Sequence, residues 1–265
     1  MAKYSILLAG ESRIGLTGHV NGFDEFSTAA YHTGADPFLK AMADSEFEIT
    51  FMPSHIAQRE FPHTLEALSA YDAVILSDIG SNTLLLHPDT SSLCRPMPNR
   101  LRLLKDYVAA GGGLAMFGGY CSFQGFRGTA RYHNTPIEDV LPVECLPYDD
   151  RVETPEGFRP VIVDASAHPI LTGLSGEWPL LLGFNEVVAK PDALVLATAT
   201  SDYRNLPLLV LGHHGEGRTL AWTTDIGPHW LPPDFSNWAG YRKLWTQALS
   251  WVIGDRAINR LGARQ

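Results

Sequence analysis

The 265-residue chain has little cysteine and no cysteine pattern. Cys94, Cys121 and Cys145 are odd in number, widely spaced and form no CxxC, which speaks against a disulfide framework and for a reducing compartment. Basic residues are also sparse: 20 Lys and Arg stand against 29 Asp and Glu, a formal net charge of −9. A nucleic-acid partner usually leaves a basic stripe, so none is expected. No apolar run approaches the ~20 residues of a membrane helix, and Tyr4–Ala9 is too short for a signal-peptide core. The expected location is cytoplasmic, with no membrane contact. There is no GxxxxGK[ST], no GxGxxG in register, no HExxH and no His-x-His. No cofactor and no metal are therefore expected. Internal repeats and low-complexity tracts are lacking too.

What the chain does have is core: 45% of its residues are hydrophobic and 18% charged. A chain of this size buries roughly 70–75% of its unfolded surface and needs no staple. In the first half, apolar strands alternate with helices. Ser5–Ala9, Phe47–Met52, Ala73–Ser77 and Leu114–Phe117 read as strands. Asp36-Pro37 opens a helix, Phe61–Ala70 reads as another, and Arg100–Ala110 presents Leu101, Leu104 and Val108 at helical spacing before Gly111 stops it. Such alternation implies a parallel sheet covered on both faces. Residues 126–190 are rich in Pro, Gly and charge and are expected to form an irregular or antiparallel elaboration. Strands follow at Ala193–Ala199, Leu206–Leu211 and Arg218–Thr223, the last two joined through Gly215-Glu216-Gly217, and a helix spans about Tyr241–Ile253. One domain over 1–255 with a tail at 256–265 is expected.

Gly111–Gly125 carries the most information. A helix stops, a short strand runs to Phe117, and Gly118-Gly119 turns sharply and presents Cys121. A strand, a tight turn and a nucleophile-type side chain expose a reactive atom in several α/β folds, and open α/β sheets bind ligands at the carboxyl ends of their strands. On a parallel sheet, Glu11 and Ser12 after the first strand, Asp78, Gly80 and Asn82 after the third, and Gly119 and Tyr120 at the elbow meet Cys121 at one edge. His229, four residues past Asp225, follows the last strand and is placed for proton transfer. Each has a plainer reading: Cys121 as a small buried hydrophobe, Asp225, Asp78 and Asn82 as turn caps, His229 packed beside Trp230. Glu144, Asp149, Asp150 and Glu153 form an acidic group with Arg151 at hand, a solvated or Arg-paired face or else a subunit contact. Trp178, Trp230 and Trp238 read as exposed, lining a pocket or a subunit interface. A homo-oligomer stays open.

Four segments carry a family resemblance: Tyr71–Asn82, Gly111–Gly125, Leu141–Glu144 with Asp149–Glu153, and Asp225–Trp230. Over nearly its whole length the chain resembles the class I glutamine amidotransferase-like superfamily, in particular a bacterial branch of cytoplasmic amidotransferase-like proteins. The resemblance implies an α/β fold: a flavodoxin-like parallel sheet with helices on both faces, plus an antiparallel extension. It also implies a cysteine on the elbow, a histidine after a late strand, an acidic residue to orient it, and an oxyanion hole of backbone amides. Carried onto this chain, Cys121 attacks an amide or related acyl compound, His229 is the base, Asp225 orients it, and amides near Gly80 and Ser122 hold the oxyanion. The chain departs from that pattern in two places. Phe123 stands where the elbow's second glycine belongs, and His229 is followed by Trp230 and Leu231 rather than by x-Glu. The alternative is a family member without the chemistry, binding a small molecule such as a sugar or amino-acid derivative, or acting within a complex.

Overall fold

A computed structural model describes residues 4–163, 168–201 and 204–254. The first half holds strands β1 (Tyr4–Gly10), β2 (Ser12–Asn21), β3 (Asp24–Thr33), β4 (Phe47–Pro53), β5 (Ala73–Ser77) and β6 (Gly113–Phe117). Its helices are α1 (Asp36–Met42), α2 (Ser54–Glu60), α3 (Leu65–Leu68), α4 (Ser81–Leu85), α5 (Pro88–Leu93) and α6 (Arg100–Ala109). The second half holds α7 (Pro136–Val140), β7 (Val143–Cys145), β8 (Arg151–Phe158), β9 (Val161–Ile162), β10 (Leu181–Asn185), β11 (Val187–Ala189), β12 (Leu194–Ser201), β13 (Arg204–His214), β14 (Gly217–Trp222), α8 (Pro233–Ser236) and α9 (Ala239–Ile253).

The main sheet runs β4-β1-β5-β6-β14-β13-β12-β9. Its first five strands are parallel and the remaining pairings antiparallel. This is a flavodoxin-like core with antiparallel extensions. The extensions include the short pairs β8–β10 and β7–β11, which organise the Pro- and Gly-rich stretch of the second half. The central strands are buried on both faces, and their alternate residues feed two cores. Ile6, Leu8, Ala73, Ile75, Ala115 and Phe117 pack with Phe38 of α1 and Trp245 of α9, while Leu7, Ala9, Val74, Leu76, Leu114 and Met116 pack with Leu101, Leu104 and Val108 of α6.

Three sequence expectations are corrected. The helix expected over Phe61–Ala70 shrinks to Leu65–Leu68, because Phe61 precedes Pro62 and adopts an extended conformation (ψ 137°); the helical residues lie before it, in α2. Trp178 and Trp230 are buried rather than exposed. Trp178 packs against Trp222, Phe235 and Trp238, and its indole N–H donates to Leu174 O at 3.1 Å. The acidic group also splits. Asp149 pairs with Arg151 through two bonds of 2.9 Å, whereas Asp150 is buried beneath the elbow. The expected tail at 256–265 lies outside the described residues.

Two features left no expectation. Strands β2 and β3 form a ten-residue antiparallel hairpin standing off the main sheet, turned at Gly22 (φ 65°). Asn21 pairs with Asp24, so Gly22 and Phe23 are the two loop residues, and a glycine at the first of them supplies the positive φ that a two-residue hairpin turn needs. Arg100 is buried, and its guanidinium donates to the carbonyls of Ala57, Gln58, Thr83 and Leu84. The fixed fork of donors closes the free carbonyl ends of α2 and α4.

Candidate active site

Strands β1, β5, β6 and β14 are neighbours and parallel, so the residues that follow them meet at one edge. There a cavity of about 460 Å³ is lined by Glu11, Ser12, Arg13, His32, Thr33, Gly34, Asp78, Tyr120, Cys121, Phe126, Thr129, Asp225, Pro228 and His229. Glu11 and Asp78, the residues just beyond β1 and β5, both take left-handed backbone (φ 46° and 43°), and His229 stands at φ 140°. Such conformations persist only where the surroundings over-determine them, and they cluster at functional sites.

Three carboxylates converge on this edge. Asp78 Oδ1 and Asp225 Oδ1 each lie 2.8 Å from the point a Cβ on Gly119 would occupy, hence at most twice that distance from one another. Only a glycine leaves them this room. Glu11 is buried behind them and accepts a bond from the Ser77 hydroxyl. Burial, then Asp78 and Asp225, hold Glu11 well above the usual carboxylate value, against the pull of Ser77 and Arg13. Burial and Asp225 likewise push Asp78 up to about 6, opposed by the Cys121 amide, Arg13 and His229.

His229 Nδ1 lies 3.2 Å from Asp225 Oδ2, which also accepts the backbone N–H of Trp230 at 2.8 Å. Burial alone would lower the imidazole. The Asp225 hydrogen bond and the charges of Asp225, Glu153 and Asp78 outweigh it and raise it. The ring meets Tyr120 edge-on at 4.4 Å, and Tyr120 stacks on Phe126 at 5.2 Å. Tyr120 OH and Trp230 Nε1–H both donate to Glu153, at 2.9 Å each.

The elbow itself is tied down. Asn185 bonds both backbone groups of Gly119, and Asp150 accepts from the amides of Gln124 and Gly125 and from Asn185 Nδ2. Cys121 is exposed to the cavity, but its backbone N–H donates to Asp78 Oδ1 at 2.7 Å. Loss of water around the thiol and the Asp78 charge push it up to about 12, Arg13 pulling the other way. Ser122 is buried, its amide bonds Gly119 O at 3.3 Å, and its hydroxyl accepts the Asp78 amide. Gly80 stands against the backbone of Thr129 and Ala130, and Asn82 is exposed on α4; neither is among the residues lining the cavity. Among the described residues no group of three or more His, Cys, Asp or Glu is placed to hold a metal ion.

A family model described as "Putative glutamine amidotransferase" matches residues 5–254. The chain belongs to this glutamine amidotransferase-like family. Two cytoplasmic proteins of Salmonella typhimurium are similar over almost their full length. STM3548 is 40% identical with a TM-score of 0.88, over 93% of this chain and 98% of its own; STM1381 is 42% identical with a TM-score of 0.88, over 94% and 99%. A protein described as ThuA-like from Parabacteroides merdae shares the fold alone, with 14% identity and a TM-score of 0.60 over 96% of this chain and 91% of its own. No curated protein matches the chain.

Within this amidotransferase-like frame, the sequence residues that the structure gathers on the cavity are Glu11, Ser12, Asp78, Tyr120, Cys121, Asp225 and His229. Gly119 and Ser122 sit in the elbow behind it. Arg13, His32 and Thr33 were missed. They lie at the roots of the hairpin, where Ser12 Oγ and O bond the backbone N–H and hydroxyl of Ser54 at 2.8 and 3.1 Å. Only the pairing of β2 with β3 brings His32 beside Arg13.

Proposed function

We propose that this chain is a small-molecule-binding member of the glutamine amidotransferase-like family, located in the cytoplasm, whose pocket works through carboxylates and His229 rather than a cysteine thiolate. One observation carries the reading: Asp78 accepts the Cys121 amide at 2.7 Å. It sets a negative charge beside the thiol, while the Ser122 amide, the elbow donor an oxyanion would need, is already bonded to Gly119 O at 3.3 Å. A developing oxyanion at this place meets carboxylates instead of donors.

The same carboxylates define the ligand class. Glu11, Asp78 and Asp225 accept hydrogen bonds or offset positive charge, and Arg13 and His229 supply two donors. The Tyr120–Phe126 stack, with the Arg151 guanidinium 3.9 Å over Phe126, offers a flat apolar wall. A neutral polyol or a cationic amino compound, such as a sugar or an amino-acid derivative, meets these groups; an anion is opposed by the carboxylates. The cytoplasmic location is supported by the names of the two Salmonella relatives.

The test is calorimetric titration of glucosamine, galactose and arginine, with gluconate as the anionic control. Binding of a neutral or cationic probe, weakened at least tenfold by Asp78→Asn or Asp225→Asn, is the expected result. Preference for gluconate would sink the ligand class.

The second reading, hydrolysis of an amide or acyl compound with Cys121 attacking and His229 as base, rests on both side chains lining one cavity. Ammonia release from glutamine or a simple amide, abolished by Cys121→Ser, would establish it and overturn the first.

A further inference from the structure

The β2–β3 hairpin has two unlike faces. Residues paired across it share a face, so Ile14, Leu16, Gly18 and Val20 stand with Tyr31, Ala29, Ser27 and Glu25. The opposite face carries Arg13, Thr17, His19 and Asn21 with His32, Thr28, Phe26 and Asp24, and on it His19 stacks on Phe26 at 4.6 Å. A sheet with one apolar and one polar face buries the apolar one. Here that face is open: Leu16 is 78% exposed, Val20 76% and Ile14 60%, and Phe23 at the tip is fully exposed. A two-stranded hairpin alone is marginal in water.

We propose that this arm is the interface of a twofold homodimer, its apolar face laid antiparallel on the same face of a second copy. Four observations select a second copy as the occupant. The arm carries its own receptor: at its base an apolar groove of about 540 Å³ is lined by Ile14, Ala29, Ala30, Tyr31 and His55, and at its tip stand Phe23 and Val20. Tip over base, in both directions, is the self-complementary contact a twofold axis demands. The middle of the arm is the small pair Gly18–Ser27, and a Cβ on Gly18 would meet nothing within 4 Å, so two backbones can close at the axis. Charge also allows it, since Glu25 is the one charged residue on this face of a chain carrying −9, and the tip-over-base arrangement brings Glu25 toward the second copy's His55. Finally, Ile14, Leu16, Val20, Phe23 and Tyr31 together expose nearly four side-chain equivalents, which at ~150–250 Å² each, the range for aromatic side chains and so an upper scale for the aliphatic ones, is roughly 560–930 Å² per copy. Twice that spans most of the ~1,200–2,000 Å² range of stable interfaces and is more than a monomer usually leaves open.

The consequence reaches the pocket. Ser12, Arg13, His32 and Thr33 at the roots of the arm form part of its wall, so the arm that pairs two copies also frames two sites.

Sedimentation equilibrium of the full chain between about 1 and 100 µM tests this, with Leu16→Glu and Val20→Glu on the apolar face and Thr17→Glu and Thr28→Glu on the polar face. The expected result is twice the 29.1 kDa chain mass for the wild type and both polar-face variants, and the monomer mass for both apolar-face variants. Far-UV circular dichroism of each variant, unchanged because the arm lies outside the main sheet, separates dissociation from unfolding. A wild type monomeric at 100 µM overturns the proposal and leaves the face to a different partner. An assembly indifferent to Leu16→Glu and Val20→Glu, or one lost equally in the polar-face variants, overturns it as well.

Discussion

Asp225 holds His229 by a 3.2 Å contact from Oδ2 to Nδ1, across four residues that include a histidine backbone at φ 140°. The carboxylate fixes the ring's direction, and with it the side of the imidazole left facing the cavity. His229 then titrates above the ordinary histidine value, ~6.5. Asp225→Asn removes the largest raising influence. Proton NMR titration should show the His229 midpoint falling in that variant by on the order of one pH unit; an unchanged midpoint would mean that the bond does not govern the ring.

Cys121 should be a slow nucleophile. With its thiol at about 12, the thiolate fraction near pH 8 is on the order of 10⁻⁴. Iodoacetamide should label it at least ~100-fold more slowly than the exposed Cys94, which serves as reference in the same molecule. Asp78→Asn removes the charge beside it and should speed labelling about tenfold. Fast labelling of wild-type Cys121, slowed by His229→Ala, would restore the Cys–His reading.

Stability should rise as pH falls from 8 toward 5.5. Burial holds Asp78 and Asp150 up to about 6 in the fold, whereas an unfolded Asp titrates near ~3.9. The folded chain therefore binds more protons between those values, and their cost to stability, present in full at pH 8, begins to shrink as pH falls through about 6 and is gone only below ~3.9. His229, also raised, acts in the same direction, contributing fully below ~6.5 and losing its contribution as pH rises through its folded value. Asp149, held at about 2 chiefly by the Arg151 hydrogen bond, acts oppositely, its contribution fading only below ~3.9. Calorimetric melting should show a higher Tm at pH 5.5 than at pH 8. Asp78→Asn should stabilise by on the order of 1–2 kcal/mol at pH 8, by about half as much at pH 5, and by little below ~3.9.

Adjacent aspartates should differ sharply on truncation. Asp150→Ala strands the buried amides of Gln124 and Gly125 and the Asn185 side chain. It should cost about 2–4 kcal/mol. Asp149→Ala removes a surface pair with Arg151 and the bond from the Arg127 amide, and should cost about 1 kcal/mol or less. Urea unfolding of the two variants checks the contrast, and equal losses would contradict the assigned hydrogen bonds.

Gly119→Ala should empty the site without abolishing the fold. The new Cβ meets Asp78 Oδ1 and Asp225 Oδ1 at 2.8 Å, on a backbone at φ 128°. Ligand binding should fall at least tenfold, with a stability loss of about 1–3 kcal/mol.

The sequence by itself determined the elements whose cause is local. Strand β5, helix α6 with Leu101, Leu104 and Val108 inward, and the Gly215-Glu216 hairpin all follow from periodicity and turn chemistry within a dozen residues. The gathering of Glu11, Asp78, Cys121 and His229 followed from one further rule, that parallel strands deliver their carboxyl ends to a common edge. The state of those groups did not follow. Asp78 reaches the Cys121 amide across 43 positions and Asn185 grips Gly119 across 66, so which donors stay free for a ligand is set by contacts that no local window contains. Burial of Trp178 and Asp150 has the same origin: each is enclosed by segments that only the tertiary fold brings near. A side chain's type is written in the sequence, but its charge and hydrogen-bond partners depend on the water removed around it, and the whole chain decides that removal.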